Sequence, residues 1–130
     1  MNERDIVLQW LQKSASDLHC AELLLRGGEP ANSCYHAQQA GEKALKAYLT
    51  QFEPEVPYTH NLELLCKMCV KYDDAFYELF HISSDLTDYV TTTRYPGDDS
   101  VDIKEAEEAI QKAGKIFIFT QKRMQACEEK

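Results

Sequence analysis

The sequence predicts an all-α fold, an up-and-down four-helix bundle with one additional short helix, on three observations. Apolar residues recur at three- and four-residue intervals through nearly the whole chain. No segment alternates apolar and polar residues over a length useful for a strand. Glycine and proline breaks cut the pattern into three long and two shorter stretches with short connections, which favours antiparallel neighbours. The 130 residues make a single domain, because this length supports one self-sufficient core and leaves no room for a second.

The first helix spans Glu3 to Arg26, with Val7, Leu11, Leu18, Ala21 and Leu25 on one face and Trp10 at its shoulder. Gly27-Gly28 ends it by offering left-handed backbone geometry without a Cβ penalty. A second helix runs from about Asn32 to Phe52, and the two prolines of Glu53-Pro54-Glu55-Val56-Pro57 stop it. A third, from about His60 to Lys71, sets Leu62, Leu65 and Cys69 on one side, with Thr59 or Asn61 as cap. The fourth begins near Asp74 and carries Phe76, Leu79, Phe80, Ser83, Leu86 and Val90. Thr91 to Ser100, with Pro96-Gly97 and then Asp98-Asp99, reads as a loop. Asp102 and Glu105 form a capping box for a last helix that keeps Ile103, Ala106, Ile110, Ala113, Phe117 and Met124 in register almost to the C-terminus.

Charge and cysteine usage narrow the function. With 14 Lys+Arg against 22 Asp+Glu the formal charge is −8, which disfavours indiscriminate binding to nucleic acid or anionic membrane and leaves room for one local cationic cluster. Apolar runs such as Ile116–Phe119 are far shorter than the ~18 residues of a membrane span, so a soluble, cytoplasmic protein is expected. The five cysteines are read as reduced thiols. Cys66-Lys67-Met68-Cys69 is one CxxC without a second pair, beside Leu62 and Leu65; packing is favoured over metal or redox chemistry. The Asp98/Asp99/Asp102 carboxylates are read as solvated rather than as a divalent-ion site, and no metal or cofactor is expected.

The most informative segment is Cys34 to Leu49. At about 100° per residue, Ala37, Ala40, Gly41, Ala44, Ala47 and Tyr48 share an arc of mostly small residues that lets another helix come close. His36, Gln39, Lys43 and Lys46 fall within about 80° of one another, along the edge of that arc. The alternatives are an ordinary solvated face and a set of donors suited to an anion with several oxygens.

Tyr35-His36-Ala37-Gln38-Gln39-Ala40-Gly41-Glu42-Lys43-Ala44-Leu45-Lys46-Ala47, then Thr59-His60-Asn61-Leu62 and Thr93-Arg94-Tyr95-Pro96, preceded by Trp10 to Leu18, resemble the HEPN domain family over essentially the whole chain. The resemblance implies a helical bundle, usually a homodimer. Similar stand-alone prokaryotic members are often encoded beside a minimal nucleotidyltransferase in a two-component, toxin–antitoxin type of arrangement, others are implicated in nucleotide binding, and one branch comprises metal-independent ribonucleases. Carried over, His36, Gln39, Lys43 and Lys46 would line a polar groove that takes a small nucleotide or a partner, joined by His60, Arg94 and Tyr95.

The ribonuclease branch requires Arg, four to six residues, then His: a cation for phosphate charge and a group that moves a proton near neutral pH. Arg4, Arg26, Arg94 and Arg123 are the only arginines, and none is followed by histidine at that spacing. A non-hydrolytic module that binds a nucleotide or serves a nucleotidyltransferase is therefore favoured. The alternatives are a divergent ribonuclease using Arg94 with His36 or His60, and a purely structural dimerisation unit. Taken alone, Arg94 suits a helix C-terminus, His60 a first helical turn, and His19 and His81 structural roles.

Overall fold

The computed structural model describes residues 1–89 and 101–128, with side chains as far as Ala126. Its helices are α1 (Glu3–Arg26), α2 (Pro30–Thr50), α3 (Leu62–Tyr72), a 3-10 segment (Asp74–Leu79), α4 (Phe80–Thr87) and α5 (Ile103–Glu128). No strand occurs among the described residues. The loop predicted over 91–100, with Arg94, Tyr95, Asp98 and Asp99, lies outside the described residues, as does Val90.

Local chemistry sets the boundaries. Asn2 caps α1 by accepting from the Asp5 amide, and Asp5 answers in a capping box. At the other end only Gly28 takes positive φ, at 80°, whereas Gly27 stays at −82°. Helix α2 starts two residues earlier than predicted because Pro30 sits in its first turn, where the missing N–H costs nothing. Asn61, rather than Thr59, caps α3 through the Leu64 amide. Asp73 opens the 3-10 segment by accepting from Ala75 N–H at 3.1 Å; Phe76 and Leu79, three apart and both buried, suit its three-residue turn. Asp102 accepts from the Glu105 amide at 2.8 Å as predicted, but the Glu105 carboxylate accepts from Tyr89 Oη at 2.9 Å.

Helix α2 is the centre of the fold and packs against α1, α3, α4 and α5. The predicted small-residue arc is buried throughout, from Ala37 to Tyr48. Two buried hydroxyls staple α1 to α2: Ser14 Oγ donates to Ala40 O, and Ser33 Oγ to Ala21 O, both at 2.7 Å. The bonded positions climb one helix as they descend the other, so the two helices are antiparallel. At Gly41 a Cβ would stand 2.8 Å from Leu62 Cδ2 and 3.3 Å from Ile116 Cδ1, so α3 and α5 approach as closely as they do only because this residue is glycine. Tyr48 packs obliquely on Phe76 within the core, at 4.4 Å between centroids. Among the described residues, no helix is long and apolar enough to cross a membrane.

Candidate functional site

The polar edge of α2 is a set of cations held by two carboxylates. Asp17, on the facing side of α1, accepts from His36 Nδ1 at 2.9 Å with one oxygen and from Lys43 Nζ at 2.6 Å with the other. Farther along α2, Glu42 repeats the arrangement, accepting from His60 Nδ1 at 2.8 Å and from Lys46 Nζ at 3.0 Å. Gln38, fully buried, donates to the His60 carbonyl at 2.8 Å, and Gln39 Nε2 donates to Gln38 Oε1 at 2.7 Å. The Lys46 ammonium also lies 5.7 Å from the centre of the Trp10 ring. Residues 36, 39, 43, 46 and 60 thus make a polar network in two separate hydrogen-bonded parts: His36 and Lys43 meet on Asp17 and join α1 to α2, whereas Gln39, Lys46 and His60, through Gln38 and Glu42, join α2 to the segment entering α3.

This geometry fixes the imidazoles. An ionised carboxylate only accepts, so each Nδ1 carries the proton that it donates, and each Nε2 is left as the second functional atom of its ring. The His36 side chain is 33% exposed and that of His60 48%. The histidines therefore form the accessible part of the network, and the lysines its inner part.

Three members of the network stood outside the predicted site: Asp17, Gln38 and Glu42. The Glu42–Lys46 pair has the (i, i+4) spacing that stabilises helices and is legible in the sequence. Asp17 offered only its place near the middle of α1, because nothing within a single helix shows that it faces His36 and Lys43 across an interface. Arg94 and Tyr95 lie outside the described residues. His19 is exposed on α1, and His81 is exposed with its ring edge-on to Phe80 at 6.0 Å.

The CxxC pair packs into the core. Cys66 and Cys69 are fully buried, and their thiols approach the backbone carbonyls of Phe76 (3.2 Å) and Leu45 (3.9 Å). Burial pushes both thiols above the usual thiol range. Cys34 is pushed up to about 12, by burial first and then by the Glu105 charge, with a Tyr89 hydrogen bond acting the other way. Protonated, buried thiols are poor nucleophiles and poor metal ligands. Among the described residues, no group of three or more His, Cys, Asp or Glu side chains is arranged to hold a metal ion.

A bundle built on a small-residue central helix, with histidines and lysines bracketed by carboxylates along its edge, belongs to a definable class. The chain matches the HEPN domain family over residues 7–124 and is a member of it. It is similar to the crystal structure of TT1696 from Thermus thermophilus, at 29% identity and a TM-score of 0.83, over 94% of this chain and 98% of that one. It also shares its fold with ST0689, an archaeal HEPN homologue, at 24% identity and a TM-score of 0.74, over 90% of this chain and 96% of the other. No curated protein sequence matches the chain.

Proposed function

We propose that this HEPN protein is a non-hydrolytic binding module, and that its His36/His60 face docks a protein partner of the minimal nucleotidyltransferase type. One observation carries the reading: the lysines expected to form an anion cradle are each neutralised by a carboxylate, Lys43 by Asp17 and Lys46 by Glu42. A nucleoside triphosphate seeks several uncommitted cationic donors, and these would have to break charge-assisted bonds to supply them. A protein surface asks less. Two partly exposed imidazoles held in place by carboxylates give it preorganised hydrogen-bonding atoms at little ordering cost. The absence of any Arg-to-His ribonuclease spacing in the sequence agrees with a non-hydrolytic role.

The rival reading has one observation in its favour, since a histidine oriented through Nδ1 by a carboxylate is also the arrangement that transfers protons in enzymes. Three assays on the purified protein separate the two. Surface binding to a purified minimal nucleotidyltransferase from the same organism is expected, and it should weaken about tenfold or more in His36→Ala, as for a central interface residue. Calorimetry with ATP, GTP and NAD is expected to show no binding in the micromolar range. Incubation with total RNA is expected to leave it intact. Micromolar nucleotide affinity, or RNA cleavage lost in His36→Ala, would overturn the proposal.

A further inference from the structure

Two aromatic side chains flank the Glu42 carboxylate, one reached through each of its oxygens. Beyond Oε2 stands Lys46, whose ammonium lies 5.7 Å from the centre of the Trp10 ring. Beyond Oε1 stands His60, whose ring centroid lies 6.3 Å from that of Tyr58. Trp10 forms, with Ile6, Gln9 and Lys13, a cleft of about 160 Å³ on the outside of α1. Tyr58 is 100% exposed, while Val56, Pro57 and Thr59 around it are partly buried. Its base is braced: Pro57 holds a fixed φ immediately before it, the Asn61 amide donates to Thr59 Oγ1 at 3.2 Å, and the His60 carbonyl accepts from Gln38.

We propose that the Trp10 cleft and Tyr58 are the two anchors of the surface that docks the protein partner. The partner seats one apolar side chain, flanked by a carboxylate, in the cleft, and receives the Tyr58 ring in an apolar pocket with a basic rim. The assignment rests on the docking reading above and extends it beyond the histidines. Size sets the occupant of the cleft, because small-molecule sites run to roughly 300–1,000 Å³ and about 160 Å³ suits a single side chain. Exposure sets the role of Tyr58. An aromatic ring brings a large apolar area, and one held on a braced segment loses little freedom when a partner covers it; Trp and Tyr are enriched among the residues that carry most of an interface's energy. Charge sets the partner's polarity. On this stripe of α1, Asp17 is held by His36 and Lys43, and Glu3 lies in the first turn, where the helix N-terminus offsets it; Lys13 is left at the cleft with no ion pair among the described residues. On the Tyr58 segment, Glu53 accepts from the Tyr72 hydroxyl and Glu55 is exposed. Lys46 and Glu42 offset each other. The partner is therefore acidic opposite Lys13 and basic opposite Glu55.

Surface binding of the full chain to a purified minimal nucleotidyltransferase from the same organism tests this, with circular dichroism as the check on folding. Tyr58→Ala and Ile6→Asn, both at exposed positions, are expected to keep the wild-type spectrum and to weaken binding about tenfold or more each. Lys13→Glu and Glu55→Lys should each weaken it about fivefold, the scale of an exposed ion pair. Tyr77→Ala, at an exposed tyrosine of the 3-10 segment, should bind as the wild type does. If Tyr58→Ala or Ile6→Asn binds like the wild type while His36→Ala does not, the two anchors are overturned and the docking reading stands. A loss in Tyr77→Ala equal to that in Tyr58→Ala overturns the anchors as well, since any exposed ring would then serve. A wild-type chain that shows no binding up to about 100 µM overturns both.

Discussion

Asp17 and Glu42 hold equivalent pairs of groups at two ends of one helix edge, yet they sit in different surroundings. The Glu42 side chain is 4% exposed and its Lys46 partner 7%. The Asp17 side chain is 12% exposed, and it shares its oxygens with two partly exposed side chains, His36 and Lys43. The first pair lies within α2 and gains only a loop histidine from outside, whereas the second spans two helices. The same chemistry therefore has two consequences. At the Glu42 end, loss of Glu42 or of Lys46 strands a charge in the core; at the Asp17 end, the released groups can turn to water.

The comparison breaks most readily at Glu42. Glu42→Gln should cost about 3–5 kcal/mol in urea unfolding, because the Lys46 ammonium keeps its burial and loses its counter-charge. Adding Lys46→Met to that variant should recover much of the loss, since an apolar stem of similar length suits the site. Asp17→Asn should cost less, about 1–2 kcal/mol, with Lys43 and His36 rehydrating. Equal costs for Glu42→Gln and Asp17→Asn would remove the distinction between the two ends.

Smaller effects sharpen the contrast. His60→Ala should cost about 1 kcal/mol or less, because the ring is half exposed and its carbonyl, not its side chain, receives the Gln38 bond. A separate effect concerns pH. The Cys34 thiol, on the same helix, is raised from 9.0 to about 12 in the folded chain. As pH climbs above 9 the unfolded chain gives up that proton and the folded chain keeps it. The unfolded state then binds fewer protons, and stability falls between about 9 and 12. Melting temperatures at pH 8 and pH 10 should show a decline that is shallower in Cys34→Ala.

Much of this architecture is legible along the chain. Periodicity gives α1 and α5 nearly to the residue, since single helices with one apolar face and clear caps need no distant information. The small-residue arc of α2 correctly marks the crowded side, where Gly41 admits Leu62 and Ile116. The four stripe residues do lie together, because a helix fixes the relative directions of its own side chains. What a single helix cannot disclose is what faces it. The Asp17 carboxylate comes from α1 to neutralise Lys43, and the His60 ring comes from beyond a proline-containing loop to the second oxygen of Glu42. The 3-10 segment is hidden for a related reason: Phe76 and Leu79, three apart, fit a helical pattern at either pitch.

The central claim is that buried carboxylates hold His36 and His60 by Nδ1 and leave Nε2 as the recognition atom. Long-range proton–nitrogen NMR on the imidazole rings tests it most directly. In the neutral rings of both histidines the proton should reside on Nδ1; Asp17→Asn should move only the His36 signals, and Glu42→Gln only those of His60. Neutral rings protonated on Nε2, or histidine signals that ignore both substitutions, would contradict the account.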